Sequence, residues 1–441
     1  MKIISLHVGH DGCVTYIINN KIIFHTQIDR YNRFKHLSFP SKSLVDELKK
    51  IDFDLILLSY SHNSEHWALT WKEVLNEFTN KNIIFTSDKH HLYHYYCAKT
   101  WQTNIKNILV ADGAGAPMQD GFEEESLFIN DKHIMKEQNA IGIKYETFSK
   151  KYFGSHLSCG KTMAWSLHDP RPKEVQQQFE KEMNALIKKW KVKDEILFTG
   201  GCAQNVLYNS KLINKFNKVF CDPFNGDFGL SLGLANYYLK GAVKNNNIFL
   251  GIPQDINTDL FLKYDVFDAT PEDVAEILIE EPVAIFQSRS EQGQRGLGNR
   301  SLLMNPMHKE AHNKLNQIKK REWFRPFACS VLQEKAKDWF DMSIKESPHM
   351  MYVFKCKKKL SAGVAKDHNS RIQTVKKSDN FHYYNLIKSF YGLTKTPVLI
   401  NTSLNLPGEV LVETLQDLKE LFERSKLKFI YLPEINKIIK K

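Results

Sequence analysis

The sequence lacks any apolar run approaching the roughly 18 to 20 residues of a membrane-spanning helix. Residues 1–13 contain no long apolar stretch followed by a small-residue cleavage site, so no secretory signal is indicated. The seven cysteines are scattered, odd in number and without a C-x-x-C spacing, which predicts neither a disulfide framework nor a thiolate zinc site. We therefore expect a cytoplasmic protein with reduced thiols and no membrane partner.

Glycine and proline are also sparse, with 21 and 14 residues among 441, and no internal repeat or low-complexity tract is evident. The hydrophobic content of 42% is that of an ordinary folded protein. This length and composition predict two or three domains and argue against extensive disorder.

Acidic residues are fewer than basic ones: the sequence contains 50 Asp and Glu and 61 Lys and Arg, which gives a formal net charge of +11. Two interpretations stay open. The excess can attract a polyanion such as a nucleic acid. Alternatively, it reflects a Lys-, Ile- and Asn-rich composition, with lysines spread over all faces of the molecule.

Alternating strand and helix patterns predict a layered α/β protein. Residues 2–29 indicate a strand, a glycine turn and two further strands, with Asn19 and Asn20 as a hairpin signal. Further strands are predicted at 54–60, 82–86, 107–115 and 195–201, with helical segments such as 175–190 between them. The pattern loosens around 245–259 into a linker or crossover, and a second α/β unit is expected from near Pro271.

A histidine pair in the first unit has the spacing of metal ligands. His90 and His94 stand four residues apart, so both imidazoles project from one face of a helix. Asp112 and Asp227 lie at expected strand or helix ends, where carboxylates commonly complete such a site. These four residues could hold iron, zinc, manganese or magnesium. The alternative is a group of surface histidines beside aromatic packing.

Two small-residue turns in the first unit suit an anion. ADGAG follows one predicted strand and TGGCAQN follows another, which places Gly113 and Gly201 where backbone N–H groups can approach a phosphate. A tight strand-to-helix connection would explain either turn equally well.

Basic residues near position 320 and polar residues near position 404 form a third candidate site. Lys319, Arg321 and Arg325 offer fixed positive charge, and an arginine fork matches phosphate oxygens in two-point geometry. Ser403 and Asn405 can hydrogen-bond a neutral amide or a ribose. We predict a site for an acyl phosphate and a nucleotide here. A solvated basic face is the alternative, which the aromatic and proline residues at 323–327 disfavour.

Nine short motifs, spread over nearly the whole chain, carry one joint resemblance. They are GHDG (9–12), HHLYH (90–94), VADGAG (110–115), GGCAQN (200–205), NGDFGLSLG (225–233), QRGLGNRSLLMNP (294–306), KKREWFRPFACSVL (319–332), SRIQTV (370–375) and INTSLNLPGE (400–409). The chain resembles the O-carbamoyltransferases of nodulation-factor and antibiotic-tailoring pathways. Their amino-terminal part is similar to threonylcarbamoyl-transfer proteins of the actin-like superfamily, and their carboxy-terminal part to threonylcarbamoyl-adenylate synthases.

The resemblance implies an α/β protein with an actin-like, two-lobed domain over 1–250 and a smaller carbamoyl-adenylate-forming α/β domain over 265–441. The second domain would convert carbamoyl phosphate and ATP into carbamoyl adenylate and pyrophosphate. Its implied phosphate ligands are Arg295, Lys319, Arg321 and Arg325, while Ser403 and Asn405 would hold the carbamoyl group and the nucleotide.

The first domain would then transfer the carbamoyl group to a hydroxyl. The resemblance places the nucleotide near Gly113, Gly201 and Asn205, and a divalent ion on His90, His94, Asp112 and Asp227. Either Asp11 or His10 of the GHDG motif is expected to deprotonate the acceptor.

Three functions are carried forward. The first is carbamoylation of the hydroxymethyl group of 5-hydroxymethylcytosine in DNA by a phage-type enzyme acting in the host cytoplasm, which would use the positive charge. Tyr93, Tyr95, Tyr96 or Trp67 would then stack on a flipped base. The second is carbamoylation of a sugar hydroxyl on an antibiotic, nodulation factor or polysaccharide. The third is an actin-like kinase or binding protein. No oligomeric state is indicated.

Overall fold

The hairpin predicted from Asn19 and Asn20 forms in the computed structural model, which describes residues 1–61 and 63–441. Both asparagines have positive φ, 48° and 66°, as a tight hairpin turn requires. They join strand β2 (Cys13–Ile18) to β3 (Lys21–Gln27). Backbone contacts divide the chain into two units, Met1–Leu250 and Gly251–Lys441.

The first unit begins with a five-stranded sheet in the order β3-β2-β1-β4-β5. Strand β1 pairs antiparallel with β2 and parallel with β4, and β4 pairs parallel with β5. The remaining elements of this half are β1 (Lys2–Val8), β4 (Leu55–Tyr60), β5 (Asn82–Ser87), α1 (Asp29–Asn32), α2 (Lys42–Lys49), α3 (Glu65–Phe78) and α4 (His90–Ala98).

A second five-stranded sheet repeats this connectivity in the order β10-β9-β6-β11-β12. Its first three strands are antiparallel neighbours, and its last two are added in parallel. Its elements are β6 (Asn107–Ala111), β7 (Pro117–Met118), β8 (Gly121–Phe122), β9 (Glu125–Ile129), β10 (Lys132–Glu137), α5 (Ile141–Phe153), α6 (Cys159–Trp165), α7 (Pro170–Lys189), β11 (Glu195–Thr199), α8 (Val206–Leu212), β12 (Lys218–Cys221) and α9 (Leu230–Tyr238). Two sheets with this repeated order are the mark of the actin-like fold, so the fold class predicted for this unit is confirmed.

Helix α4 packs against both of these sheets. Tyr93 lies in an apolar cluster with Ile3 and Leu57 of the first sheet. Tyr95, on another face of the helix, lies in a cluster with Val110 and Leu197 of the second sheet. Residues of α4 are therefore buried on more than one side, which is why its apolar residues do not form a single stripe.

The second unit is built on a nine-stranded mixed sheet in the order β13-β21-β20-β14-β15-β19-β16-β18-β17. Its strands are β13 (Asp265–Asp268), β14 (Val283–Phe286), β15 (Arg300–Met304), β16 (Ala328–Leu332), β17 (Val353–Lys355), β18 (Asn369–Val375), β19 (Val398–Ser403), β20 (Phe429–Leu432) and β21 (Lys437–Lys440). Its helices are α10 (Pro271–Glu280), α11 (Ala311–Lys319), α12 (Ala336–Trp339), α13 (Phe381–Thr394) and α14 (Leu415–Arg424).

Both faces of this sheet are covered by apolar side chains. In β14, Ala284 and Phe286 belong to one apolar cluster, whereas Val283 and Ile285 belong to another. A strand buried on both faces reads as a continuous apolar run, as VAIF does. Phe261 is fully buried in the first of these clusters. The segment before residue 265, which the sequence pattern left outside both domains, is thus part of the second unit's core.

Six short 3-10 turns complete the described elements, and they are His156–Ser158, Gly201–Gln204, Asp227–Gly229, Asp259–Phe261, Gln333–Lys335 and Pro433–Ile435. Within the described residues, no helix combines the length and the hydropathy needed to cross a bilayer.

The close approach of α9 to α4 depends on Gly233. A Cβ atom at this position would lie 1.9 Å from the carbonyl oxygen of Tyr93, so Gly233→Ala forces the two helices apart. We expect a loss of about 1 to 3 kcal/mol in unfolding free energy, the usual result of overpacking. Gly160→Ala is the matched control, because Gly160 also lies in a helix but has open space around it. Urea unfolding should show a lower midpoint for Gly233→Ala only, and equal midpoints would contradict this account.

Candidate functional site

The four predicted metal ligands converge in the first unit. His90 and His94 lie one turn apart on α4, Asp112 directly follows β6, and Asp227 opens the 3-10 turn before α9. One ligand atom from each residue lies within 4.8 Å of the others. The histidines are buried inside the fold, so the surface-histidine alternative does not describe them.

The atoms that face one another suit a divalent ion. His94 Nε2 lies 3.0 Å from Asp112 Oδ2, and His90 Nε2 lies 3.6 Å from that oxygen and 3.5 Å from Asp227 Oδ1. Among the described residues, both Nε2 atoms and Asp112 Oδ2 are buried without a hydrogen-bond partner. Two imidazole nitrogens and two carboxylate oxygens are ligands that iron, zinc and manganese all accept.

Charges inside this group stabilise one another. Burial alone would raise the pKa of Asp112, but the imidazoles of His90 and His94 outweigh it and hold that pKa well below its usual range. Burial would lower the pKa of His90, yet Asp227 and Asp88 outweigh it and raise that pKa well above its usual value. The positive charge of a protonated His90 therefore compensates the negative charge of the aspartates when no metal cation is bound.

A second histidine-carboxylate group adjoins the metal-ligand cluster. His36 Nδ1 lies 2.5 Å from Asp11 Oδ1, and His10 Nε2 lies 3.4 Å from Asp11 Oδ2. The other nitrogen of His10 lies 3.8 Å from Asp227 Oδ2. Asp11 thus contacts two histidines, and one of these, His10, also lies near Asp227 of the metal-ligand cluster. Sequence analysis missed His36, because nothing in its local sequence links it to the GHDG motif.

The two predicted bases differ in their surroundings. The side chain of Asp11 is 9% exposed and that of His10 is 46% exposed, so His10 is the one that an acceptor can reach. Burial would lower the pKa of His10, but Asp11 and Asp227 outweigh it and raise the pKa to about 10. A cation on Asp227 would cancel part of that effect.

The predicted glycine turns border the same cluster. A Cβ on Gly201 would lie 2.6 Å from Asp112 Oδ1, and one on Gly113 would lie 2.4 Å from Glu146 Oε1. A side chain at either position would therefore displace the neighbouring carboxylate. Burial, with repulsion from Asp112, raises the pKa of Glu146 to about 7. Sequence analysis missed Glu146, which comes from the middle of α5.

Asn205 has a structural use that was not predicted. Its Oδ1 accepts a hydrogen bond from the backbone N–H of Tyr208 and so caps α8. Its amide also exchanges hydrogen bonds with Gln176 in both directions. Both halves of the side chain are bonded within the protein, so the predicted nucleotide contact would have to displace one of these bonds.

In the second unit, Lys319 meets Ser403 and Asn405 as predicted, but through a protein contact. The Lys319 ammonium donates to the carbonyl oxygens of Ser403 and Asn405, both at 2.7 Å, and to Asn405 Oδ1. Three acceptors match the three N–H bonds of an ammonium group. The predicted role of Lys319 as a phosphate ligand would require an exchange of at least one bond. Lys319 therefore links the end of α11 to the last residue of β19 and to Asn405 beyond it.

Four arginines form the charged part of this site, and we call them the arginine group. Its members are Arg295, Arg321, Arg325 and Arg371. Burial, then repulsion from Arg325 and Arg321, lowers the pKa of Arg295 to about 10. Burial, then repulsion from Arg295 and Arg325, also lowers the pKa of Arg371. The Nε atom of Arg371 is buried with no hydrogen-bond partner in the described part of the chain.

The arginine group lies next to the segment that Lys319 contacts. Gly296, next to Arg295, packs so closely that a Cβ there would lie 2.8 Å from the Cα of Ser403. One carboxylate, that of Glu322, lies 3.5 Å from Arg325. Burial and neighbouring arginines lower the pKa values of Arg295, Arg321 and Arg371. The arginine group is suited to a ligand with several negative charges, because a polyanion would offset the repulsion among its guanidinium groups.

Residues 274–439 match the model of a known protein family, described as "Carbamoyltransferase C-terminus". The chain is also 32% identical over 245 residues to nodulation protein NolNO of Sinorhizobium fredii, and 29% identical over 231 residues to nodulation protein U of Azorhizobium caulinodans. Residues 274–439, which lie in the second unit, are therefore similar to the carboxy-terminal domain of carbamoyltransferases.

The relatives differ in how much of their length this chain covers. It covers 94% of protein MJ1051 of Methanocaldococcus jannaschii, at 26% identity and over 93% of its own length. It covers 36% of NolNO and 40% of nodulation protein U, with 49% and 48% of its own length matched. Against most of these relatives, the chain thus spans less than half of the curated protein.

The similarity of this chain to solved structures is weak. The phosphate- and nucleotide-bound form of full-length HypF is similar over 55% of this chain and 56% of that chain, with 12% identity and a TM-score of 0.31. The fold assignment therefore rests on the strand order of the two five-stranded sheets.

Metal binding should displace a proton from the histidine pair. Since the pKa of His90 is raised well above its ordinary value, this imidazole holds a proton at neutral pH that a metal must remove. We expect the affinity for Zn²⁺ to rise by about tenfold per pH unit while one proton is displaced. Calorimetry between pH 6 and 8 measures this. His94→Ala should lose the site, whereas His66→Ala, on an exposed helix residue, should bind normally. A pH-independent affinity would rule the prediction out.

Pyrophosphate should raise the melting temperature by binding the arginine group. Arg371→Met removes one of the four repelling charges and an unpartnered buried N–H. We expect this variant to be no less stable than the wild type without ligand, and to lose most of the rise caused by pyrophosphate. Arg424→Met, at an arginine of α14 paired with Glu409, is the control and should keep the full rise. An undiminished rise in Arg371→Met would show that the anion binds elsewhere.

Proposed function

We propose that this carbamoyltransferase uses ATP and carbamoyl phosphate to carbamoylate a hydroxyl group, with a carbohydrate as the acceptor class. The observation that carries the proposal is that one chain contains two sites of opposite electrostatic character. The arginine group in the second unit suits phosphates, while the histidine and aspartate cluster in the first suits a divalent cation.

The second unit is proposed to make the activated carbamoyl group. Carbamoyl phosphate, ATP and water would give carbamoyl adenylate, pyrophosphate and phosphate. The arginine group would bind the phosphoryl oxygens and stabilise the charge that builds up as pyrophosphate leaves. Lys319 would act by holding Ser403 and Asn405 in place, since its ammonium is bonded to both.

The first unit is proposed to transfer the carbamoyl group. The acceptor oxygen attacks the carbonyl carbon, the bond to the AMP oxygen breaks, and the hydroxyl proton passes to a base. His10 is the proposed base, because it is exposed and lies between Asp11 and Asp227. It would act in its neutral form, which a divalent cation on Asp227 would favour by lowering the raised pKa of His10. Asp11 orients the imidazole, as the carboxylate of a catalytic triad does. A bound divalent ion supplies polarisation of carbonyl or phosphate oxygens.

A carbohydrate acceptor is favoured over DNA on two grounds. Several relatives are nodulation proteins, and the family resemblance includes enzymes that act on sugar hydroxyls. Of the four aromatic residues expected to stack on a flipped base, Tyr93 and Tyr95 are buried and Tyr95 packs on Phe128. The charge of +11 remains the argument for DNA.

The test is a reaction with ATP, carbamoyl phosphate and one of Fe²⁺, Zn²⁺, Mn²⁺ or Mg²⁺. The acceptors are a panel of oligosaccharides and aminoglycosides, and DNA containing 5-hydroxymethylcytosine. Mass spectrometry of each acceptor reports transfer, while pyrophosphate and AMP report the two half-reactions. We expect transfer to a carbohydrate. Transfer to the modified DNA alone would replace that acceptor, and ADP release with phosphorylated sugar would identify a kinase instead.

Two variants divide the reaction. Arg321→Ala should reduce pyrophosphate release by roughly 100-fold or more, the usual loss when a transition-state donor is removed, and should stop transfer with it. His94→Ala should keep pyrophosphate release and lose transfer. If both variants lose both steps equally while remaining folded, the division of labour between the units is wrong.

A further inference from the structure

A buried carboxylate, Asp88, lies behind the metal-ligand cluster and belongs to none of the predicted sites. It stands between β5 and α4, two residues before His90. Its side chain is 5% exposed. Burying a carboxylate in this way is costly unless a partner compensates its charge.

The partner is His90. Asp88 Oδ2 lies 2.8 Å from His90 Nδ1, while His90 Nε2 points the other way, 3.5 Å from Asp227 Oδ1 and 3.6 Å from Asp112 Oδ2. With Nδ1–H donating to Asp88, the neutral imidazole carries its lone pair on Nε2 and aims it at the cluster. A carboxylate in this position fixes the tautomer and makes the ligand nitrogen more basic.

The other histidine of the pair lacks this support. Within the described residues, His94 Nδ1 is buried without a hydrogen-bond partner. The two imidazoles therefore differ at Nδ1, because that atom of His90 faces a carboxylate and that atom of His94 has no partner among the described residues. His90 is also packed edge-on against His7, whose ring nitrogens bond to Ser59 and Ser61. The His90 ring is thus held from two directions.

The surroundings of the second oxygen of Asp88 indicate that the carboxylate acts on His90 and not on the backbone of α4. Asp88 Oδ1 is buried and has no hydrogen-bond partner in the described part of the chain. A residue kept only to cap α4 would bond to backbone N–H groups, yet the helix shows no side-chain cap at its start. The close contact that offsets the cost of burying this charge is the one with His90, and the imidazole of His7 lies within 4.8 Å of the same group.

We propose that Asp88 is a positioning residue for the metal centre, which holds His90 in the tautomer and orientation that bind a divalent ion. This inference rests on the metal site of the proposed function. Asp88 would not be a ligand itself, because it faces Nδ1 of His90 whereas Asp112 and Asp227 face Nε2. Loss of such a carboxylate typically weakens metal binding by about 10- to 100-fold.

The test uses the full chain and Zn²⁺, with affinity measured by chelator competition. Asp88→Ala removes both the charge and the acceptor, and we expect Kd to rise about 10- to 100-fold. Asp88→Asn keeps an acceptor for Nδ1–H but removes the charge, so we expect a smaller rise. The control is Asp131→Asn. The exposed carboxylate of Asp131 accepts a hydrogen bond from Tyr95 of α4 and belongs to none of the described metal-ligand groups. It should bind Zn²⁺ like the wild type.

Substitution of Co²⁺ adds a readout that does not depend on activity. Reorientation of His90 changes the coordination geometry, so the visible absorption bands of bound Co²⁺ should shift or weaken in Asp88→Ala and stay unchanged in Asp131→Asn. Melting temperatures show whether each variant is folded, and Asp88→Asn serves if Asp88→Ala is not.

The outcomes separate this inference from the function it rests on. Wild-type affinity and an unchanged Co²⁺ spectrum in both Asp88 variants would overturn the positioning role while leaving the metal site intact. A wild-type chain that binds no divalent ion would overturn both. Weakened binding with unaltered pyrophosphate release would support the positioning role and place it in the first unit's half of the reaction.

Discussion

Burial of opposite charges at one place, around His90, His94, Asp112 and Asp227, is the constraint on which the first unit depends. Each of these groups would be costly inside the protein by itself, because a buried ion loses its hydration. Together they compensate one another, through protonated imidazole or through a bound cation. The compensation requires three elements to meet: the first two turns of α4, the end of β6, and the turn before α9.

The packing of α4 supplies the rigidity that such a centre needs. The helix lies between the two five-stranded sheets, with Tyr93 facing one and Tyr95 the other, and Gly233 allows α9 to come close to it. Ligands on a helix held from several sides keep their relative geometry. The repeated sheet is therefore the frame for the site as well as the core of the unit.

The second unit solves the opposite electrostatic problem. Its arginine group concentrates like charges, and burial and neighbouring arginines lower the pKa values of Arg295 and Arg321. One member, Arg371, lies in β18 of the nine-stranded sheet, whose two faces are both packed with apolar side chains. Other residues of the motifs form hydrogen bonds within the protein. Lys319 and Asn405 bond to each other across the chain, and Asn205 in the first unit caps a helix. A motif thus mixes groups that meet a ligand with groups that hold the backbone.

The sequence alone determined the class of fold, the hairpin at Asn19 and Asn20, the four metal-ligand candidates and the basic segment at 319–325, because periodicity, turn chemistry and helical spacing are local properties. The family resemblance joined these parts. Only the tertiary structure decided that His36 meets Asp11, that Glu146 lies beside Gly113, and that Asp88 orients His90. It also decided that Lys319 and Asn205 bond within the protein. These outcomes depend on which distant segments meet, and on whether a side chain finds its partner inside the chain, and neither is encoded in the spacing of neighbouring residues.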